Sequence, residues 1–535
     1  MFFLTRICLF LSVVVLATGL AMSPGASAAS FEDAVARLSE KSFSVKEQAI
    51  ADITVSGDER ALSVLTALND GTLYFRRDDK RIVFTVKQGR EFVLTDMLSG
   101  EALGTVRRRA VRKVSINNRL RAALKGAIGS LRLFADDPGT RLTAARAMLS
   151  NPTADALPIL QRALEREEAE DVRSMLGLAL SALKTEIGSE AERIEAVQAL
   201  SGSMNPDVWQ VLGRLAAGED AVAAEARSAL EIVESRKRLF SLLETLFFGI
   251  SLGAVLLLAA VGLAITFGVM GVINMAHGEM LMIGAYTTFV VQQLMPNAIE
   301  YSLFVAIPAA FIVTGLIGIA MERGIIRVLY GRPLETLLAT FGISLILQQA
   351  VRTIFSPLNQ PVITPDWMSG FYEVNGALSL TYNRMCIIVF CLVVFAVLVM
   401  ILRMTPLGLQ MRAVTQNRAM ASSMGINTGW VDAMTFGLGS GIAGIGGVAL
   451  SQLTNVGPNL GQAYIIDSFM VVVFGGVGNL WGTLVGAMTL GVVNKFLEPF
   501  TGAVVAKILV LVFIILFIQR RPRGLFALKG RAAEA

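Results

Sequence analysis

Three consecutive stretches decide the fold class: LLLAAVGLAITFGVM (256–270), GVINMAHGEML (271–281) and MIGAYTTFVV (282–291). The first and last are strongly apolar, and the middle one interrupts them with Asn274, His277 and Glu279. His277 is the only histidine in the 535 residues. Polar and ionisable side chains are costly in hydrocarbon and are usually kept there for function. The sequence therefore predicts membrane helices with a functional polar break between them.

The composition divides the chain into two parts. Hydrophobic residues make up 54% of the chain and charged residues only 17%, which is too apolar for a soluble protein of this length. Charged residues are frequent from 31 to 238, whereas 239–519 consists of apolar runs with short polar breaks. We therefore predict one domain at 29–238 and a membrane domain at 239–535.

The first 28 residues have the pattern of a secretory signal peptide. An apolar run from Ile7 to Leu20 is followed by the small residues Ala26-Ser27-Ala28, which resemble a cleavage site. An uncleaved anchor is the alternative, and both interpretations export the following domain. That domain contains no cysteine, so its own core must hold it together without disulfides.

The exported domain is predicted to be mostly helical and repetitive. Residues 44–68 indicate a first helix, and residues 71–116 alternate polar with β-branched or aromatic residues, which predicts a small β insert. The pattern Arg-x-x-Ala-Ala-x-x-x-Leu begins at Arg141, and a second round begins at Arg193, about 50 residues later. This is similar to stacked HEAT-like helical hairpins. An irregular bundle is the alternative.

Apolar segments in the membrane domain predict the number of spans. A spanning helix needs roughly 20 apolar residues. We predict an all-α polytopic membrane protein with about nine spans, within a range of eight to ten, near 240–268, 275–294, 302–322, 335–355, 384–402, 429–451, 464–477, 480–497 and 503–519. Nine spans put the N-terminal domain outside and the C-terminus inside, and most arginines of the loops then fall on the inner side.

Glycines recur where membrane helices are expected to touch. Gly478, Gly482 and Gly486 are four residues apart, a spacing that allows two helix backbones to meet along one face. Residues 437–447, GLGSGIAGIGG, are interpreted in the same way. An intramembrane serine protease is the alternative, but its nucleophile elbow requires glycine where Leu438 stands. We assign no catalytic residue and predict that the chain is not an enzyme.

The lone histidine also suggests a metal site. One histidine and one glutamate cannot fill the coordination shell of a metal ion. We therefore predict no metal ligands in this chain.

The loop after the fifth predicted span reads RMTPLGLQMRAVTQNRAMASSMGINTGW (403–430). Pro406 and Gly408 end the span, the following residues predict a short helix along the inner face, and Gly425 begins a turn. Such a helix suits docking to a partner protein. A surface loop without a role is the alternative.

The loop and the polar break together resemble the permease subunits of ABC importers of the branched-chain amino-acid and urea family. The motif Gly-x-Ile-Asn-x-Ala-His-Gly-Glu falls on 271–279, and Met-x-Gly-Ala-Tyr falls on 282–286. The likeness covers about 240 to 530 of this sequence. The long N-terminal extension is similar to that of the urea permease subunits, the UrtB type, which makes these the nearest match.

The resemblance implies a transport subunit in a bacterial inner membrane, with a periplasmic N-terminal domain and a cytoplasmic C-terminus. It implies a heterodimer with a second permease subunit, cytoplasmic ABC ATPase subunits, a periplasmic substrate-binding protein and surrounding lipid, but no nucleic acid. The sequence contains no Gly-x-x-x-x-Gly-Lys-Ser/Thr loop, so ATP would be used by partner subunits and this chain would bind no cofactor. Residues implied to couple to the ATPase are Pro406, Gly408, Arg412, Ala413, Val414, Asn417, Ala421, Gly425 and Ile426.

Polar side chains in the spans are candidates for the substrate pathway. Urea is small and neutral, and Asn274, Thr340, Ser344 and Gln348 offer suitable amide and hydroxyl groups, the last three on one helical face. An amino acid would need charged partners, for which His277 and Glu279 are candidates. The alternative for these two residues is that they satisfy the broken backbone or each other.

Urea import is the first functional hypothesis. Import of branched-chain or other amino acids or amides is the alternative. A channel or secondary carrier is more distant because it leaves the helical inner loop without a role, and an exported scaffold would not need nine spans.

Overall fold

The computed structural model describes residues 31–88, 91–150 and 156–526, so the predicted signal peptide lies outside the described residues. The chain divides into two units, with the boundary between Glu234 and Ser235. This boundary is close to the one predicted at 238. Each unit has its own buried apolar core.

The described part of the first unit begins with three short helices and a sheet. The helices are α1 (Phe31–Arg37), α2 (Phe43–Val55) and α3 (Ala61–Asp70). The single helix predicted at 44–68 is wrong, because Gly57 takes a left-handed φ of 71° and separates α2 from α3.

Five antiparallel strands occupy the segment in which a β insert is predicted. Their order in the sheet is β4-β3-β2-β1-β5. Leu73 on the first strand packs against the same core as Leu65 and Leu68 of α3. The strands are β1 (Leu73–Arg76), β2 (Ile82–Gln88), β3 (Glu91–Asp96), β4 (Ala102–Arg107) and β5 (Val111–Lys113).

Successive helices complete the first unit. They are α4 (Asn118–Arg132), α5 (Pro138–Ser150), α6 (Leu157–Arg166), α7 (Glu170–Ile187), α8 (Glu190–Leu200) and α9 (Pro206–Ala216). The two repeated arginines bind backbone near the junctions between helices. Arg141 Nη1 donates to the carbonyl of Ala135, between α4 and α5, at 2.8 Å, and Arg193 Nε donates to the carbonyl of Thr185, in the last turn of α7, at 2.8 Å. Their recurrence thus has a local structural cause, while the relation to HEAT repeats stays a prediction.

Helices dominate the second unit. They are α10 (Ala221–Met270, which begins in the first unit), α11 (His277–Leu294), α12 (Ile299–Gly324), α13 (Pro333–Phe355), α14 (Tyr382–Met404), α15 (Pro406–Gln416), α16 (Arg418–Ser423), α17 (Thr428–Ser451), α18 (Leu460–Gly475), α19 (Leu480–Thr501) and α20 (Ala503–Arg520). An unpredicted hairpin, β6 (Phe371–Asn375) and β7 (Leu378–Thr381), lies between α13 and α14.

Each of the nine predicted spans overlaps one of these helices, but only seven helices in the described part of the chain are long and apolar enough to cross a membrane. The exceptions are α18, which has 16 residues, and α11, whose apolar character is reduced by His277, Glu279 and Gln292. A multi-pass membrane unit is therefore supported, and the count of nine spans is not. The inside and outside assignment stays a prediction.

Glycines bring the backbones of α11, α12 and α17 into contact. A methyl group added at Gly447 would meet the carbonyl oxygen of Leu281, and one added at Gly284 would meet the backbone of Gly444. Gly318 faces Ser440 in the same way. The glycines of 437–447 thus lie at helix contacts, as their interpretation as a packing motif predicts.

The prediction for the second glycine motif is partly wrong. Gly482 touches the backbone of Gly475, and Gly486 lies beside Gly475 and Val471. Gly478, however, precedes the helix with a φ of 77°. Asn479 caps α19 by accepting a hydrogen bond from the Gly482 N–H at 3.1 Å, so the helix begins only at Leu480.

Candidate functional site

A non-helical link separates α10 from α11 at the polar break. Gly271 follows α10 with a φ of 65°, a conformation that glycine adopts readily, and α11 begins at His277. Two side chains bind the link's backbone: Asn274 Oδ1 accepts from the Ala276 N–H at 3.0 Å, and Thr340 Oγ1 accepts from the Met275 N–H at 3.1 Å. These bonds satisfy backbone groups that have no helical partner.

His277 is fully buried at the start of α11. Its Nε2 lies 2.9 Å from the carbonyl oxygen of Ala259, and because a carbonyl only accepts, Nε2 carries the hydrogen. Its Nδ1 has no hydrogen-bond partner among the described residues. The position of His277 fits the structural alternative, in which it ties the break to α10.

Glu279 lies in the first turn of α11 and binds α13. Its Oε1 accepts hydrogen bonds from Ser344 Oγ and from Gln348 Nε2, both at 2.8 Å, and Gln348 Nε2 also lies 3.2 Å from Ser344 Oγ. Glu279 is 1% exposed. His277 and Glu279 therefore bind different partners, and the suggestion that they satisfy each other is wrong.

The predicted pathway residues come together along one face of α13. Thr340, Ser344 and Gln348 are all buried and face residues 275–279, as their four-residue spacing predicts. Within the described residues, Glu279 Oε2 and Asn274 Nδ2 are buried without a hydrogen-bond partner. One can accept and the other can donate a hydrogen bond to a polar ligand. A buried polar atom without a partner is rare and calls for an explanation such as binding.

The described residues contain no group of three or more His, Cys, Asp or Glu side chains that could hold a metal ion. The side chains at the break offer hydrogen bonding and charge, from one carboxyl group, one imidazole, two amides and two hydroxyls.

The predicted coupling loop forms two helices, α15 and α16, instead of one. Asn417 separates them with an extended φ of −158°, and its Oδ1 accepts from the Met420 N–H at 2.9 Å to cap α16. Arg412 Nη1 donates to the carbonyl of Leu402, which ties α15 to the end of α14. Gly425 then takes a φ of 86° in the predicted turn.

The predicted coupling residues divide by exposure. Gly408, Val414 and Ala421 are buried, and a methyl group at Gly408 would meet the backbone of Leu402. These three fix the position of the segment. The exposed ones are Pro406, Arg412, Asn417 and Gly425, with Ala413 and Ile426 half-buried.

An ion pair missed by the sequence analysis holds this segment to α17. Arg418 donates through Nη1 to Asp432 Oδ1 at 3.1 Å and through Nη2 to Oδ2. Asp432 is 3% exposed, and the Arg418 guanidinium lies 4.1 Å from the centre of the Tyr330 ring. The available signal was a pair of opposite charges on either side of the turn at 425–427.

Comparisons with known proteins cover most of the second unit. The family described as the branched-chain amino acid transport system permease component matches residues 245–518. Similar proteins include the high-affinity branched-chain amino acid transport system permease proteins BraD of Pseudomonas aeruginosa and LivH of Salmonella typhimurium. BraD is 29% identical over 296 residues, which is 54% of this chain and 96% of BraD. LivH is 30% identical over 296 residues, 53% of this chain and 94% of LivH.

A more distant similarity involves the ribose import permease protein RbsC of Haemophilus influenzae, which is 32% identical over 113 residues, 20% of this chain and 35% of RbsC. No solved structure matches.

Proposed function

The chain belongs to the branched-chain amino acid transport permease family, and from this premise we propose that it is the membrane subunit of an ATP-driven importer of branched-chain amino acids. Its similar proteins are transport permeases and not enzymes. BraD and LivH, which match over more than 90% of their own length, are named for branched-chain amino acids, so they favour this alternative over the urea hypothesis. The long N-terminal extension remains the feature in favour of urea.

The observation that carries the proposal is the buried carboxyl group of Glu279. One oxygen is held by Ser344 and Gln348, and the other has no partner among the described residues. An amino acid presents an ammonium group, for which a carboxylate is the natural acceptor. Urea has no charge, and a buried carboxylate left without a counter-charge is unfavourable. The arrangement therefore favours an amino acid.

The second end of an amino acid is a carboxylate. Asn274 Nδ2 is buried without a hydrogen-bond partner among the described residues and can donate to it. The proposed roles are thus Glu279 for the ammonium group and Asn274 for the carboxylate. His277 and Thr340 hold the break in shape through Ala259 and Met275.

The proposed partners follow from family membership. ATPase subunits would supply energy and a binding protein would deliver substrate, with a second permease subunit completing the pathway. We propose that the exposed residues Pro406, Asn417 and Gly425 meet the ATPase, because the buried residues and the Arg418–Asp432 pair hold this segment firmly against α17.

The test is substrate uptake by the complete importer in proteoliposomes, with radiolabelled leucine and radiolabelled urea measured side by side. Leucine uptake that requires internal ATP and the binding protein is the expected result. Urea uptake without leucine uptake would contradict the proposal that the substrate is a branched-chain amino acid. Flux of either compound without ATP would identify a channel or secondary carrier instead.

A further inference from the structure

A cavity of about 770 Å³ in the second unit lies where several helices end. The last turns of α10 and α14, helix α15 and the loop before α19 line it. Three arginines line it, Arg403, Arg412 and Arg523, and none of its lining residues is an aspartate or glutamate. A cavity with three positive charges and no carboxylate in its walls is suited to an anion.

Arg403 and Arg412 both have N–H groups available for an anion. Arg403 lies in the last turn of α14, is exposed, and forms no hydrogen bond or ion pair with other described residues. Arg412 is tied to the Leu402 carbonyl through Nη1, which holds its guanidinium at the cavity wall and leaves its other N–H groups for a ligand. Both can therefore bind a phosphate group without giving up an ion pair.

The rest of the wall is apolar. Side chains of α10 and α14 contribute Ile265, Val269 and Val399. Trp481 also lines the cavity; its side chain is half-exposed, and its ring packs edge-on against Phe395, with centroids 5.5 Å apart. Free phosphate would leave this surface in contact with water. A ligand with an anionic group and a hydrocarbon part would cover both.

We propose that this cavity binds an anionic phospholipid, with its phosphate at Arg403 and Arg412 and its upper acyl chains against α10 and α14. Basic pockets between membrane helices bind anionic headgroups in this manner, and tryptophan is frequent at that depth. Gly408 and Met411 of α15 also line the cavity. The lipid therefore packs against the helix that carries the predicted coupling residues.

The fluorescence of Trp481 can be used to measure lipid binding in the cavity. The full-length chain in detergent is titrated with a short-chain phosphatidylglycerol brominated on its acyl chains, and tryptophan fluorescence is recorded. Bromine quenches tryptophan only at contact distance. We expect saturable quenching that is lost in Trp481→Phe, and quenching by the matching phosphatidylcholine only at a concentration about fivefold higher or more.

A variant of Arg403 and a matched variant of an arginine outside the cavity test the role of the positive charge. Arg403→Gln should raise the half-quenching concentration of phosphatidylglycerol about fivefold, the effect of one positive charge near a headgroup. Arg332→Gln, an exposed arginine outside the cavity, should leave it unchanged. If Arg403→Gln does not fold, two measurements still test the proposal. Arg403→Lys keeps the positive charge and should keep the binding of phosphatidylglycerol, and the wild-type chain should still prefer phosphatidylglycerol to phosphatidylcholine.

Three outcomes would overturn the proposal. Equal quenching by phosphatidylglycerol and phosphatidylcholine would show that the cavity does not prefer an anionic headgroup. Displacement of the lipid by an equal concentration of inorganic phosphate would leave an anion site but not a lipid site. Absence of phosphatidylglycerol from the assembled importer, measured by native mass spectrometry, would mean that a partner subunit fills the cavity.

Discussion

Gln348 Nε2 lies 2.8 Å from Glu279 Oε1 and joins α13 to α11 inside the second unit. Glu279 is 1% exposed and Gln348 is 2% exposed, while much of the remaining surface of α13 is exposed. The hydrogen bonds of Glu279 with Ser344 and Gln348 therefore connect the break to an otherwise peripheral helix.

The variant Glu279→Gln tests whether the negative charge of Glu279 is needed for transport, because it changes the charge of the side chain but hardly its shape. The variant keeps an oxygen for Ser344 and Gln348 but loses the carboxylate proposed for the substrate ammonium group. Hydrogen bonds to charged groups contribute about 1.5–3 kcal/mol, so leucine uptake at low concentration should fall about tenfold or more. Glu335→Gln, exposed on the same helix α13, is the control. Uptake equal to wild type would exclude Glu279 from substrate binding.

Thr340→Val tests the structural part of the break. Valine has the same shape but cannot accept from the Met275 N–H. A buried donor without a partner costs about 1–3 kcal/mol, so the apparent unfolding temperature of the purified chain should fall. Thr340→Ser keeps the hydroxyl and should resemble the wild type. Equal unfolding temperatures for the valine and serine variants would show that this hydrogen bond does not stabilise the link.

The Arg418–Asp432 pair predicts a non-additive double mutant. Arg418→Gln leaves the buried Asp432 carboxylate without its partner and should destabilise the chain by about 1–3 kcal/mol. The double variant Arg418→Gln/Asp432→Asn should lose less than the sum of the two single variants, because it leaves no unpaired charge.

The same variants test coupling. In the complete importer, we expect Arg418→Gln to reduce substrate-stimulated ATP hydrolysis while basal hydrolysis by the ATPase subunits is retained. Additive stabilities together with normal stimulation would show that the pair neither stabilises α16 on α17 nor transmits motion.

Gly447→Ala should disrupt the contact between α17 and α11. Its methyl group would meet the backbone of Leu281 and Ala285, which cannot yield as a flexible side chain can. Overpacking of this kind costs about 1–3 kcal/mol, seen as a lower yield of folded chain and a lower apparent unfolding temperature. Gly342→Ala is the matched control, because no atom lies within 4 Å of its added methyl group. Identical behaviour of the two variants would contradict the close contact.

The stability of the first unit at acidic pH should depend on Arg141. Two hydrogen bonds of 2.8 Å from Arg141, followed by one from the Ala169 N–H, hold the pKa of the Glu167 carboxyl below its ordinary value, although burial opposes this. A carboxyl group whose pKa is lowered in the folded state stabilises the unit at pH values above the ordinary glutamate pKa. This contribution is lost as the pH falls through the folded-state pKa.

Arg141→Gln should therefore unfold at a higher pH than the wild type during acid titration. The measurement is the emission of Trp209 in a full-length chain in which the other tryptophans are replaced by phenylalanine: Trp367, Trp430 and Trp481. Arg146→Gln, an exposed arginine on the same helix α5, is the control. Coincident acid transitions for wild type and Arg141→Gln would exclude the pair as a source of stability.

Local patterns predicted the parts of the fold that depend on local chemistry. Apolar length located the helices of the membrane unit, and the four-residue spacing of Thr340, Ser344 and Gln348 predicted their shared buried face. The partners of Glu279 could not be predicted, because Ser344 and Gln348 lie 65 and 69 residues away along the chain. Spacing alone also misplaced Gly478, since the cap at Asn479 decides where α19 begins.

The single histidine gives the protein a spectroscopic reporter at its most informative point. His277 is buried, its Nε2 faces the Ala259 carbonyl, and no other imidazole exists in the chain. Selective nitrogen labelling of histidine in an untagged protein would give one pair of ring resonances free of overlap. Their chemical shifts report the tautomer and the hydrogen bond directly, so any state that changes the His277–Ala259 contact can be recognised from one side chain without an engineered label.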